Sequence, residues 1–145
     1  MKLHELITDD GILIEARFRD VSPLRLLDHW IEPELLALWW PQQAIVDPEP
    51  GGRYHLSWPV MNWTMRGQVR ELERGARLSF TWAWDHEPDL PPRRVTIEVE
   101  RTASGSGLTL TQGPYAATER EIQDRQSHVD GWAHFFSRLA PIVEG

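Results

Sequence analysis

Few residues of this chain are placed to do chemistry, and the sharpest of them lie in its last quarter. On a wheel of ~100° per residue, Arg125 falls in the middle of an apolar stripe. The stripe runs from Ile122 through Val129, Ala133, Phe136 and Ala140 to Val143, with Trp132 and Leu139 beside it. A guanidinium aimed into an apolar hollow would anchor a carboxylate or phosphate. The plainer alternative is an arginine that leaves the fold at an open end or pairs with a protein carboxylate such as Glu71. His128 with Asp124 or Asp130 offers acid–base chemistry, although Asp124 and His128 at i, i+4 also make an ordinary helical pair. Asp85, His86, Glu87 and Asp89 offer oxygen and nitrogen ligands to a metal. Neighbouring loop residues rarely converge on one ion, so a solvated acidic loop, or a lid over a cavity mouth, is the expectation there.

The usual catalytic signatures are missing. The chain has no G-x-S-x-G elbow, no H-E-x-x-H, no dinucleotide glycine fingerprint and no phosphate loop. It has no cysteine, hence no thiolate nucleophile and no Cys-ligated zinc. No catalytic residue, metal or cofactor is therefore assigned. A formal charge of −7 argues against nucleic acid and against an anionic membrane surface as partners. The N-terminus carries no apolar run of signal-peptide length and no stretch approaches a membrane span, so the expectation is a cytoplasmic protein. The unusual count is tryptophan: eight, against two tyrosines and four phenylalanines. That many indoles either fill a thick core or line a hollow.

The elements that must position these residues follow from periodicity. Ile12, Ile14, Ala16 and Phe18 alternate with Leu13, Glu15, Arg17 and Arg19, after the turn signal Asp10-Gly11. Ser22-Pro23 starts a short helix, and Pro33 restarts a second, over Glu34 to Trp40. Half-buried strands follow around Tyr54-Leu56-Trp58, Trp63-Met65-Gly67-Val69, Leu78-Phe80-Trp82-Trp84, Val95-Ile97-Val99 and Leu108-Leu110-Gln112, with a short one at residues 42–47. Gly67 in mid-strand predicts a bulge or sharp bend. A long helix runs from about Thr118 to Val143. The fold class is α+β: a curved antiparallel sheet of about seven strands gripping one long C-terminal helix. Residues 1–145 read as one domain, with 1–11 as an additional N-terminal edge strand and turn. From Val129 onward the helix face is filled with apolar bulk; before it, only Ile122 is apolar. A hollow near the polar half is the expectation.

A set of short segments carries a resemblance. Trp39-Trp40-Pro41 closes the helix pair, Gly51-Gly52-Arg53-Tyr54 opens a strand, and Gly67-Gln68-Val69-Arg70-Glu71-Leu72 follows. Then come Arg77-Leu78-Ser79-Phe80-Thr81-Trp82, Val95-Thr96-Ile97-Glu98, Leu108-Thr109-Leu110-Thr111 and, on the last helix, His128-Val129-Asp130-Gly131-Trp132. In this order they resemble the family named for the activator of the ninety-kilodalton heat-shock protein ATPase (AHSA-like), within the START-like, or SRPBCC, helix-grip superfamily. The resemblance implies a helix-grip fold with an apolar cavity between helix and sheet. It implies little about function, because superfamily members bind lipids, sterols, hormones or polyketides, and some are cyclases.

The expected function is binding of a small hydrophobic molecule, aromatic or carboxylate-bearing, without catalysis. Trp58, Trp63, Met65, Trp82 and Trp84 would supply apolar walls, and Arg125 with Tyr54 or Gln112 would orient the guest. Trp40 and Trp132 are expected as pure core. The alternatives are a polyketide cyclase-like enzyme using the same cavity, and a co-chaperone-like protein-interaction module. Edge strands and an acidic surface permit a homodimer.

Overall fold

Alternation builds the sheet. The computed structural model describes residues 1–144. In β2 (Ile12–Arg19), Ile12, Ile14, Ala16 and Phe18 are buried while Glu15, Arg17 and Arg19 face solvent. The same period of two buries Tyr54, Leu56 and Trp58 in β4 (Arg53–Trp58) and Leu78, Phe80 and Trp82 in β6 (Arg77–Trp84). It buries Val95, Ile97 and Val99 in β7 (Arg93–Arg101) and Leu108 and Leu110 in β8 (Gly105–Gly113). With β1 (Lys2–Ile7), β3 (Gln43–Val46) and β5 (Trp63–Glu73), all pairs are antiparallel, in the order β1-β2-β8-β7-β6-β5-β4-β3. The sheet has eight strands rather than about seven. The N-terminal segment accounts for the difference, because it pairs over its whole length with residues 12–17.

The helix pair bridges the sheet from β2 to the far edge strand β3. Ser22 caps α1 (Pro23–Asp28), its hydroxyl accepting from the Arg25 amide at 3.1 Å. The second helix, α2 (Pro33–Leu36), is shorter than the Glu34–Trp40 expected from its proline boundaries. The chain tightens into turns after it, where the Trp39 and Trp40 amides both return to the Leu36 carbonyl. The indole of Trp39 donates to the His29 carbonyl at 2.9 Å, fixing that turn against α1.

Thr118 caps α3 (Glu119–Val143), accepting from the Glu121 amide, and Glu119 and Glu121 meet the positive end of the helix dipole. Its buried residues are Glu121, Val129, Trp132, Phe136, Leu139 and Ala140. The stripe is thus rotated from the expected one toward Glu121, Trp132 and Leu139, and Ile122 is 48 % exposed. Phe136 meets Phe18 of β2 edge-on at 6.2 Å, and Trp132 lies 5.8 Å from Trp82 of β6, so the helix crosses the curved face of the sheet. Trp30, fully buried after α1, touches Trp39, Trp40, Trp132 and Phe136 with ring centroids 4.7–5.9 Å apart. That is the central seam of the core. Among the described residues no helix is long and apolar enough to cross a membrane.

Gly67 is a site of close approach rather than the bulge itself. The one-residue register shift between β5 and β6 lies beyond it, between Val69 and Glu71. A Cβ on Gly67 would sit 2.1 Å from the Thr81 carbonyl oxygen and 3.1 Å from that of Tyr54. Both neighbours are backbone of adjacent strands, so neither can yield without parting the sheet. Gly67→Ala is expected to destabilise the protein by at least ~2 kcal/mol, measured by urea unfolding.

Candidate functional site

Between α3 and strands β4, β5 and β6 lies a cavity of about 220 Å³. Its walls are indoles from three strands: Trp58 of β4, Trp63 at the start of β5, and Trp82 and Trp84 of β6. Trp40 and Trp132, 4.9 Å apart, contribute the floor. Both were expected as pure core; instead each shows one face to the hollow. Met61 and Phe135 complete the apolar wall, and Ser127, His128 and Gly131 present the helix. The mouth is marked by Met61, 52 % exposed, and Trp63, 40 % exposed, in and after the 3-10 turn Pro59–Met61.

The rings fix one another. Trp40 stacks on Trp82 at 5.8 Å, Trp82 meets Trp84 edge-on at 5.4 Å, and Trp58 packs against Trp84 at 5.4 Å. Two indole N–H groups are tied internally: Trp58 donates to the Trp40 carbonyl at 3.1 Å and Trp132 to the Gln112 side-chain oxygen at 2.8 Å. The Trp82 N–H is buried and has no partner among the described residues.

The four residues expected to join these indoles sit elsewhere. Arg125 does not enter the cavity: its guanidinium donates to the backbone carbonyls of Thr8, at 3.0 Å, and Asp9, at 3.5 Å, clasping the β1–β2 turn. That turn supplies acceptors that the helical wheel could not foresee. Glu71, its proposed partner, pairs with Arg77 and Arg94 instead. Tyr54 is fully buried, and its hydroxyl donates to the Trp30 carbonyl at 2.6 Å. Burial pushes that hydroxyl's pKa well up. Gln112 is turned to the Trp132 indole, and Met65 is sealed beneath the wall rather than in it. The acidic loop is bound to arginines: Asp85 to Arg66 at 2.9 Å, and Glu87 and Asp89 to Arg120 at 3.2 and 3.0 Å.

Where the stripe turns polar, the buried cation is Arg93 of β7, 4 % exposed. It meets Glu121 at 2.9 Å and lies 3.9 Å from Asp124. It also sits 4.3 Å over the ring of Tyr115, a cation–π contact. Sequence reasoning passed over Arg93, although it shares the parity of Val95, Ile97 and Val99 and so had to point inward. It also passed over Tyr115, in the β8–α3 connection. The Tyr115 hydroxyl lies 2.6 Å from His128 Nδ1. Among the described residues no carboxylate orients His128: Asp124 faces Arg93, and Asp130 accepts from Gln126 at 3.0 Å. Burial, seconded by the Arg93 charge, pulls His128 down to about 4. Burial pushes the Tyr115 hydroxyl up.

Both features have measurable consequences. Arg93→Met strands Glu121 without a counter-charge and should cost about 3–5 kcal/mol of unfolding free energy; adding Glu121→Gln should recover part of it. For His128, the folded pKa of about 4 lies below the ordinary 6.5. As pH falls, the unfolded chain therefore binds the proton first. Stability present above about pH 6.5 is lost as pH falls toward about 4, by up to ~1.4 kcal/mol per pH unit. His29, lowered mainly by burial, adds in the same direction. Urea midpoints between pH 7.5 and 4.5 should show this slope, and His128→Gln should flatten much of it.

Comparisons agree with this architecture. A search of curated proteins gives no match. Protein MLL2253 of Mesorhizobium loti superposes with a TM-score of 0.82 at 21 % identity, covering 92 % of this chain and 96 % of its own. CalU16 from Micromonospora echinospora superposes with a TM-score of 0.74 at 18 % identity, covering 98 % and 83 %. DynU16, a protein in the dynemicin biosynthetic locus, superposes at 0.80 with 18 % identity, covering 94 % of this chain and 48 % of its own. At such identities the likeness establishes the fold. The family model for activator of Hsp90 ATPase homolog 1-like proteins matches residues 20–144. With a curved antiparallel sheet closed around its last helix, the chain belongs to that family and has the helix-grip fold of the START-like superfamily.

Proposed function

We propose that this protein holds a small, flat, apolar molecule in the indole-lined cavity and does not transform it. The observation that carries this reading is the wall itself: six indoles converging on one hollow of about 220 Å³ that opens at Trp63 and Met61. For scale, a dry cavity of ~150 Å³ accommodates benzene, so a fused bicyclic guest suits this one. Indole faces favour offset or edge-on contact with a planar aromatic. For a guest of about a dozen heavy atoms at about −0.5 kcal/mol each, binding near −6 kcal/mol corresponds to a Kd of tens of micromolar.

Acid–base catalysis finds less support. A general acid or base works best with a pKa near the operating pH. His128, at about 4, and Tyr115, raised by burial, both lie far from neutrality. The second titratable group that a cyclase-like reaction would need does not line the cavity.

Gly131 provides the test. It lines the cavity, and a Cβ there meets nothing within 4 Å. Gly131→Leu should therefore take up room in the cavity while gaining up to ~1 kcal/mol of helix propensity. Titrating 2-ethylnaphthalene against intrinsic tryptophan fluorescence should give saturable binding to the native protein and none to the variant. Unchanged affinity in a stable Gly131→Leu protein would place the binding elsewhere. Native mass spectrometry of freshly purified protein would reveal any guest carried through purification.

A further inference from the structure

The indole cavity has one polar feature whose state can be read from its neighbours, and it narrows the kind of guest. His128 lines the cavity, and its Nδ1 lies 2.6 Å from the Tyr115 hydroxyl. Tyr115 is 5 % exposed, and Nδ1 is its hydroxyl's one partner among the described residues. A buried hydroxyl proton needs an acceptor, so Tyr115 donates and Nδ1 accepts. The remaining proton of a neutral imidazole must then be on Nε2. Nε2 makes no hydrogen bond within the described residues, nor is it sealed among the buried, unpartnered atoms. It is therefore an accessible donor on a residue of the wall. The indole N–H of Trp82, whose ring centroid is 5.5 Å from that of the imidazole, is by contrast sealed and without a partner among the described residues.

The surrounding charge decides which acceptor fits. The charge that acts on His128 is Arg93 of β7, and Glu121 and Asp124 of α3 face that guanidinium rather than the imidazole. Arg93 is committed to Glu121 at 2.9 Å and covered by the Tyr115 ring. Arg125 is committed to the β1–β2 turn. Among the described residues no lysine or arginine lines the cavity to balance a carboxylate brought into the indole walls, and desolvating one unpaired is costly. A guest cation would meet only donors at the imidazole. A neutral oxygen or ring nitrogen meets neither penalty.

We infer that the Tyr115–His128 pair presents a fixed Nε2–H donor to the cavity, so that the guest is a planar apolar molecule bearing a neutral hydrogen-bond acceptor, such as an aromatic ketone. This replaces the carboxylate anchor expected of Arg125. It rests on the cavity being a binding site, and the test separates the two.

Three probes of matched shape are compared by fluorescence titration at pH 7: 2-acetylnaphthalene, 2-ethylnaphthalene and 2-naphthoate. The acetyl compound should bind about fivefold more tightly than the ethyl one, the net worth of one hydrogen bond, and 2-naphthoate no better than the ethyl compound. His128→Phe, which keeps a ring but no donor, should erase the acetyl preference. His128→Gln, whose amide can donate from a similar position, should keep it. Independently of any variant, the ¹⁵N ring resonances of His128 in the native protein should show Nε2 protonated and Nδ1 not. Equal affinity for the acetyl and ethyl probes, a preference for 2-naphthoate, or a protonated Nδ1 would overturn the inference while leaving the cavity a binding site. Failure of all three probes to bind would overturn the binding reading as well.

Discussion

Indoles are rigid plates, and the interior of this protein is built from them. A leucine core can flow around small mismatches by changing rotamers. A set of edge-on and stacked rings, held by hydrogen bonds from Trp39, Trp58 and Trp132 to fixed acceptors, cannot. Trp30 shows the closed version of the arrangement, with neighbours on all sides from α1 to α3. Toward Trp58, Trp63 and Trp84 the same packing runs out of partners, because α3 there offers Ser127, His128 and Gly131 in place of apolar bulk. The hollow is what remains where plates meet a helix that has stopped supplying volume.

The charged end of the helix is the counterpart of that change. Arg93 is inward by strand parity, so something must neutralise it, and Glu121 takes the place on α3 that Ile122 would otherwise claim. That pairing sets the rotation of the helix and brings Asp124 within reach of the same guanidinium. His128, one turn further, is then left without a carboxylate and is met by Tyr115 instead. A buried ion pair adds little net stability but penalises alternatives strongly. Here it fixes which face of α3 meets the cavity.

Much of the architecture was legible because strand alternation and the helix stripe are local signals. Ile12 to Phe18 and Leu78 to Trp84 read correctly from period alone, and the short segments around Trp39-Trp40 and Gly51-Gly52 carried the family. The four expected indoles, Trp58, Trp63, Trp82 and Trp84, line the hollow, whereas Arg125, Tyr54 and Gln112 turn to partners elsewhere. Arg125 lies on the correct side of the helix but finds the carbonyls of Thr8 and Asp9, which come from the other end of the chain. Tyr54 and Gln112 find partners on α1's flank and α3. A long polar side chain goes to whatever partner the tertiary fold supplies, and periodicity carries no record of that partner. Arg93 was the exception, a charge at an apolar parity, and the signal was there to be used.

The closeness of the rings has a spectroscopic corollary. Chromophores separated by little more than their own width do not emit as individuals: excitation absorbed by one migrates among its neighbours before light is given off. Trp40, Trp58, Trp82, Trp84 and Trp132 form one such relay, and it continues through Trp30 to Trp39. Near-ultraviolet light falling anywhere on this network reports on all of it. A quencher lodged against a single ring would darken indoles it never touches.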